Sequence, residues 1–435
     1  MPRKTLSQEF AIALWRAFRT LIPAPHDRVP LTFSTAPYAC AYFIPFIFLC
    51  YLARRPDTRL IRILLLPLLI TTSLQGAFGY VWTDPRLNVY NWGAALASFA
   101  VIAKGLDAAL ASEGRFKQGE NGLGDMEEPA IAKKEGVDEA PGDTETKKRP
   151  GSTFLPRWLE DALEFAFAFR GIGWDFGKGV YLPPPTRPLE KGPFVRATLL
   201  SFVINYIGLD FMESLLKQLP GVGSVRGGTI FYPWMEPLPR YLASTLIHFS
   251  TGCALLCGFA MVYDLITLFA VLLLDHSPTA WPPVMDNPWI ADSLHDFWAK
   301  RWHQLLRQTF LVLGGIPGRV LFGNIGLVFG TFLASGMFHE CTIYALGRGW
   351  DGRVPLFFLL QGGAVIGERL WRRWTGRRVG GWFGTLWVYF DIVILGQPLT
   401  DAWHRRGLAG GMVIPPFISP MRLFVIPAVK HLLGY

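Results

Sequence analysis

Apolar runs of about 18 residues or more recur from one end of this chain to the other, and each is long enough to cross a bilayer core as a helix. In lipid, backbone N–H and C=O groups must be satisfied within the segment, so runs of this kind permit helices and little else. The sequence therefore predicts an all-α fold, a polytopic transmembrane helical bundle. Its charge agrees: 17% of the residues are charged and 51% hydrophobic, whereas soluble domains carry about 25% charged residues. The formal charge of +9 sits mainly in short loops between apolar runs, where Arg and Lys set topology. That pattern points to a membrane and away from nucleic acid.

Taken in order, residues 8–22 are helical in period but interrupted by Arg16 and Arg19, as in a helix lying in the interface. Spans are expected at about 37–52, 60–81 and 91–110, completing an N-terminal region of 1–110. Residues 111–152 are rich in Glu, Gly, Asp and Lys and nearly free of aromatics, so they read as a disordered, charged cytosolic loop. Further spans are expected at about 195–216, 240–274, 319–346, 354–368, 382–397 and 410–429, roughly nine in all. The stretch 240–274 suits either one tilted helix or a span with a re-entrant piece. Placing Arg54, Arg55 and Arg59 in the cytosol puts the charged loop, Lys300 and Arg301, and Arg369 to Arg378 on the same side, with a lumenal N-terminus. The basic residues Arg3, Lys4, Arg16 and Arg19 pull the other way.

Two histidines carry the functional expectation. His339 lies in the run Ser335-Gly336-Met337-Phe338-His339-Glu340, inside an apolar helix. An ionisable side chain at membrane depth is costly and marks a functional site by default. A neutral imidazole there can take a proton as a general base, and Ser335, one helical turn earlier, shares its face. His303 closes an aromatic and cationic segment that starts at Asn287-Pro288-Trp289 and continues through Phe297, Trp298, Lys300, Arg301 and Trp302. Lys300, Arg301 and Arg307 suit an anionic ligand such as the phosphates of a nucleotide-bearing cofactor. The blander readings are a histidine bonded between helices and an ordinary interfacial anchor belt. His339-Glu340-Cys341-Thr342-Ile343 lacks the second histidine of a zinc-protease helix, and the eight histidines are too scattered for a di-iron oxidase, so no metal is expected. The five cysteines read as small buried hydrophobes.

The pairing of Asn287, Pro288, Trp289, Ser293, Leu294, Phe297, Trp298, Arg301, Trp302 and His303 with downstream Ser335, Gly336 and His339 resembles the wax synthase-like branch of the membrane-bound O-acyltransferases. Arg170 to Trp174 resembles a segment common upstream in fungal members. The resemblance makes residues 153–435 the acyltransferase core, enclosing a membrane-buried tunnel in the endoplasmic reticulum. It implies acyl transfer from acyl-CoA, a co-substrate rather than a bound cofactor, to a hydrophobic alcohol. His339 would be the base, and His303, where many relatives have Asn, would orient the acyl group or stabilise the oxyanion. Asn287, Trp298, Lys300, Arg301, Trp302, Arg307 and Ser335 would serve substrate and CoA binding. The chain length and charged insertion favour the fungal type, with acetyl transfer to a terpenoid or meroterpenoid hydroxyl. Long-chain wax ester synthesis stands second. A transporter using His339 as a proton relay is the reading of another class, but no internal repeat supports it.

Overall fold

A computed structural model describes residues 5–122, 125–126 and 155–434. Most of the described backbone is helical. Among the described residues the strands form two short ladders, Val29–Pro30 parallel to Tyr80–Val81 and Glu120–Gly122 antiparallel to Asp125–Met126. Helix α1, Leu6–Leu21, starts on a reciprocal capping box between Thr5 and Gln8 and buries none of its residues. Leu6, Phe10, Leu14 and Trp15 lie exposed along it, as an interfacial helix requires.

Six stretches among the described residues are long and apolar enough to cross a membrane, and the chain reads as a multi-pass membrane protein. The first is Ala36–Ala53, ending in helix α2, Phe43–Ala53. Helices α3, Arg59–Phe78, and α4, Asn88–Leu110, follow and pack on one another. Arg54, fully buried at the end of α2, is held by Glu120 at 2.8 and 2.9 Å and by Asp161 at 2.8 Å. Asp161 belongs to α5, Arg157–Phe167. Arg115 reaches Asp107 at 2.5 Å and Asp175 at 3.3 Å. The segment expected to be a free loop over 111–152 is thus ordered against the bundle as far as residue 122, because its charges find buried partners. Residues 123–124 and 127–152 of the region lie outside the described residues.

Helix α6, Lys191–Lys217, packs along α7, Pro237–Leu273. The open question over 240–274 is resolved in favour of one helix of 37 residues. At 1.5 Å per residue it is about 55 Å long, well beyond the roughly 30 Å of a bilayer core. The span expected over 319–346 is instead one arm of a hairpin. The sixth stretch, Arg307–Tyr344, here α8, folds back on itself at Phe322 and Gly323, where Gly323 takes φ 60° and ψ −143°. Glycines let the two arms touch: a Cβ on Gly314 would lie 2.1 Å from the Gly330 carbonyl oxygen, and one on Gly318 2.1 Å from that of Gly326. This is the small-residue contact by which apolar helices associate in lipid.

The last three expected spans do not meet the same length and composition. Helix α9, Arg353–Thr375, carries Arg353, Glu368, Arg369, Arg372 and Arg373. Helix α10, Gly381–Tyr389, loosens into π-helical turns over Phe390–Leu395, and a separate helix α11, Gln397–Arg405, begins beyond it. The region 410–429 is irregular to Pro420, with Pro415, Pro416 and Pro420 opposing a helix. Polar groups of α6 pin this region: Lys217 donates to the carbonyls of Ala409, Gly410 and Gly411, and Glu213 accepts from Val413 N and Ile414 N.

Candidate active site

The aromatic and cationic segment is shaped by buried acceptors rather than by its own propensity. Ser293 caps a short helical turn by accepting from Asp296 N at 3.1 Å. Glu368 of α9 accepts from Leu294 N at 2.7 Å, His295 N at 3.0 Å and Trp387 Nε1 at 3.1 Å, tying the segment to α9 and α10. The turn opens into a π-helix over Phe297–Arg301, and Gln304 closes it by donating to the carbonyls of Trp298 and Trp302. Such π turns are rare and gather at functional sites. Trp298 donates its indole N–H to Gln361 Oε1 at 2.9 Å, which fixes the ring as a wall.

A cavity of about 270 Å³ lies between this segment, α7, the α8 hairpin, α9 and α11. His303, Trp298, Trp302, Arg307, Ser335 and His339 all line it. Residues far apart in the sequence are therefore brought to one space. Lys300, Arg301 and Asn287 are not on its wall. Arg301 is paired with Asp296 and also donates to Asp286 O, while Lys300 is half-exposed and 3.9 Å from Asp296. Asn287 takes the left-handed conformation, φ 43°, that turns the chain into Pro288 and Trp289, which do line the cavity.

His303 is enclosed by Phe259, at 4.7 Å between ring centroids, and Trp302, at 5.4 Å. Burial pushes its imidazole down to about 3, the nearby His339 adding to the effect. Its Nδ1 is buried without a partner among the described residues. His339 stacks on Phe358 of α9 at 4.9 Å and 11°, with Phe310, Phe338 and Trp403 around it. Among the described residues neither ring nitrogen of His339 has a hydrogen-bond partner. Gly336 makes this stacking possible, since a Cβ there would come within 2.7 Å of Pro355 Cα and push α8 off α9. The hairpin supplies the rest: Phe310, on the first arm, lies 6.2 Å from His339, on the second. Arg307, one turn before Phe310, lines the same cavity, and its side chain has no ion pair or hydrogen bond among the described residues.

Glu340 is not directed toward His339. It is fully buried and paired in bidentate fashion with Arg406 at 2.6 and 2.8 Å, and it accepts from Asp351 N at 2.7 Å. The cavity also holds residues that sequence reasoning passed over. His248 of α7 lines it, with Nδ1 2.7 Å from Thr400 Oγ1 and Nε2 2.9 Å from the Ile392 carbonyl. The rule that singled out His339, an ionisable group inside an apolar run, would have found His248 too. Trp403 and Thr400 come from α11, where no sequence signal marks them.

Similarity to known proteins falls on this site. Residues 281–360, which contain both His303 and His339, match the Membrane bound O-acyl transferase family. The chain is similar to O-Mevalon transferase yanI of Aspergillus niger, 27% identical over 58% of this chain and 65% of that one. It is similar to Acetyltransferase aurG of Calcarisporium arbuscula, 27% identical over 56% of this chain and 62% of that protein. A third relative is Probable long-chain-alcohol O-fatty-acyltransferase 7 of Arabidopsis thaliana, 29% identical over 30% of this chain and 45% of the plant protein. The matched stretches span less than two thirds of each of these relatives. The resemblance to the wax synthase-like membrane-bound O-acyltransferases, with fungal acetyltransferases among the relatives, is borne out.

Proposed function

Starting from a chain that resembles wax synthase-like membrane-bound O-acyltransferases of the fungal acetyltransferase type, we propose that it moves an acetyl group from acetyl-CoA to a hydroxyl of a hydrophobic secondary metabolite such as a terpenoid or meroterpenoid. One observation carries the proposal: His303 and His339 face one apolar cavity, and among the described residues His339 has no partner for its ring nitrogens. A histidine kept for packing would be bonded on both sides, as His248 is.

In the proposed reaction His339 accepts the proton of the acceptor hydroxyl as that oxygen attacks the thioester carbon. The carbon–sulfur bond breaks as the tetrahedral centre collapses, and the departing thiolate recovers the proton from the imidazolium as CoA-SH. His303 orients the acyl carbonyl, donating from the ring nitrogen turned to the cavity. Arg307, a cation on the wall with no ion pair among the described residues, meets a phosphate of CoA. Lys300 and Arg301 contribute less than sequence reasoning assigned them, since both lie off the cavity wall and Arg301 is committed to Asp296. Trp298, Trp302 and Ser335 line the binding space, and the cavity is the reaction chamber of a tunnel in a membrane of the endoplasmic reticulum. The printed name of the plant relative supports a second reading, long-chain acyl transfer to a fatty alcohol.

The test uses membranes containing the wild type or His339→Ala, offered labelled acetyl-CoA or palmitoyl-CoA with panels of terpenoid and fatty alcohols. Label in a terpenoid ester with wild type only is the expected result. Label from palmitoyl-CoA into fatty alcohol alone selects wax synthesis. Equal transfer by both proteins removes His339 from the mechanism.

A further inference from the structure

One face of α7 runs along the cavity, and its residues measure the cavity's reach. Phe259 packs on His303. Gly252, seven residues earlier on the same helix, also lines the cavity, about 10 Å further along the axis at 1.5 Å per residue. The space therefore continues about two helical turns beyond His303 toward His248, forming an arm.

The walls of this arm offer almost nothing polar. His248 Nε2 faces the Ile392 carbonyl and so carries the proton, which makes Nδ1 the acceptor for the Thr400 hydroxyl. Tyr389 donates its hydroxyl to the Trp289 carbonyl at 3.0 Å. Phe249, Trp289 and Val393 add apolar surface. At Gly252 the wall is missing a side chain, for an added Cβ would meet nothing within 4 Å. Of the cavity-lining residues, this one alone is glycine among the described residues.

We propose that this arm holds the apolar skeleton of the alcohol acceptor, with its hydroxyl turned back toward the histidines, and that Gly252 is the specificity-determining residue that makes room for a bulky, ring-containing skeleton. The assignment rests on the acyl-transfer reading, because an acetyl donor leaves the arm for the acceptor. A skeleton bearing further polar groups is disfavoured, since each would be buried without a partner.

Binding tests this independently of turnover. The purified full chain is titrated with a brominated fused-ring alcohol and with 3-bromopropanol, reading quenching of tryptophan fluorescence, since Trp92, Trp289, Trp298, Trp302 and Trp403 all line the cavity. The expected order of weakening for the fused-ring alcohol is wild type, G252A, G252L, G252F, reaching about tenfold or more in Kd for G252F, with a smaller change for bromopropanol. If G252F does not fold, G252A and G252L carry the same order. Parallel changes for both alcohols, or none for either, overturn the proposal. Binding in the expected order by a wild type that transfers acyl groups to no alcohol keeps the pocket and overturns the acyl-transfer reading instead.

Discussion

The Glu340 carboxylate immediately follows the proposed base, and its replacement separates a catalytic role from a structural one. Glu340 is 0% exposed and accepts three hydrogen bonds, two from Arg406 and one from the Asp351 amide. In Glu340→Gln the amide keeps one acceptor oxygen but no charge, so the Arg406 guanidinium stays buried with neutral acceptors only, that oxygen and the Ala402 and Gly349 carbonyls. Breaking a buried pair from one side costs about 3–5 kcal/mol, mostly because the surviving charge is uncompensated. At about 1 °C per kcal/mol for a chain of 435 residues, the midpoint of thermal unfolding in detergent should fall by roughly 3–5 °C. Replacing both partners, as Glu340→Met with Arg406→Met, should recover much of the loss, since no charge is then stranded. Transfer activity per folded molecule should change little below the new midpoint. A Glu340→Gln protein that melts like wild type but loses transfer would refute the reasoning and tie Glu340 to His339.

His339→Ala should lower kcat by about 10²–10⁴-fold, the usual contribution of a positioned base, in a radiolabel transfer assay. His303→Asn should keep more activity than His303→Ala, because Asn restores a donor toward the acyl oxygen. Arg307→Gln should raise KM for the CoA donor more than it lowers kcat, whereas Lys300→Gln should leave both near wild type, as its exposed pair with Asp296 is worth about 0–1 kcal/mol. Acid should destabilise the protein through His303. Burial holds its folded value near 3, below the ordinary 6.5 of an imidazole, so the unfolded chain binds more protons between those values and stability falls as pH drops through that window. Melting of His303→Asn followed from pH 7 to pH 5 should show a smaller loss than wild type.

How much of this was legible in the sequence follows from what lipid does and does not enforce. The spans near 37–52, 60–81, 91–110 and 195–216 were readable because an apolar run in a bilayer has one way to satisfy its backbone. The hairpin was hidden within the same rule, since both arms are apolar and the turn at Phe322 and Gly323 contains no proline or charge. A signal was nevertheless present: Gly314, Gly318, Gly326 and Gly330 repeat at four-residue spacing on either side of Gly323. The segments after residue 350 misled for the opposite reason. Their hydropathy is real, but Gln361, Asp391, Gln397 and Asp401 are buried polar groups whose partners come from elsewhere in the chain, and no local pattern announces a long-range partner.

The hairpin explains why the site residues could be named from sequence while their arrangement could not. A straight helix from Arg319 would have left His339 without the ring of Phe310 and with Arg307 on a different element. Folding back at Gly323 returns residues 307–310 to the turn that carries His339, so that cation, base and the histidine of the preceding segment meet. Among the described residues, most of the cavity's uncommitted polar side chains then fall in three short stretches: Trp302, His303 and Arg307; Ser335 and His339; and Trp403, whose indole N–H is buried without a partner there; the indole of Trp289 stands apart from them. The other polar side chains on the wall are bonded within the protein: Trp92 to Thr342, Trp298 to Gln361, Gln304 to the Trp298 and Trp302 carbonyls, Thr331 to Leu327 O. A cavity with most of its open polarity beside the two histidines and a largely apolar remainder has a direction. It holds a ligand whose reactive group is polar and whose remainder is not, which is the form of a hydrophobic alcohol.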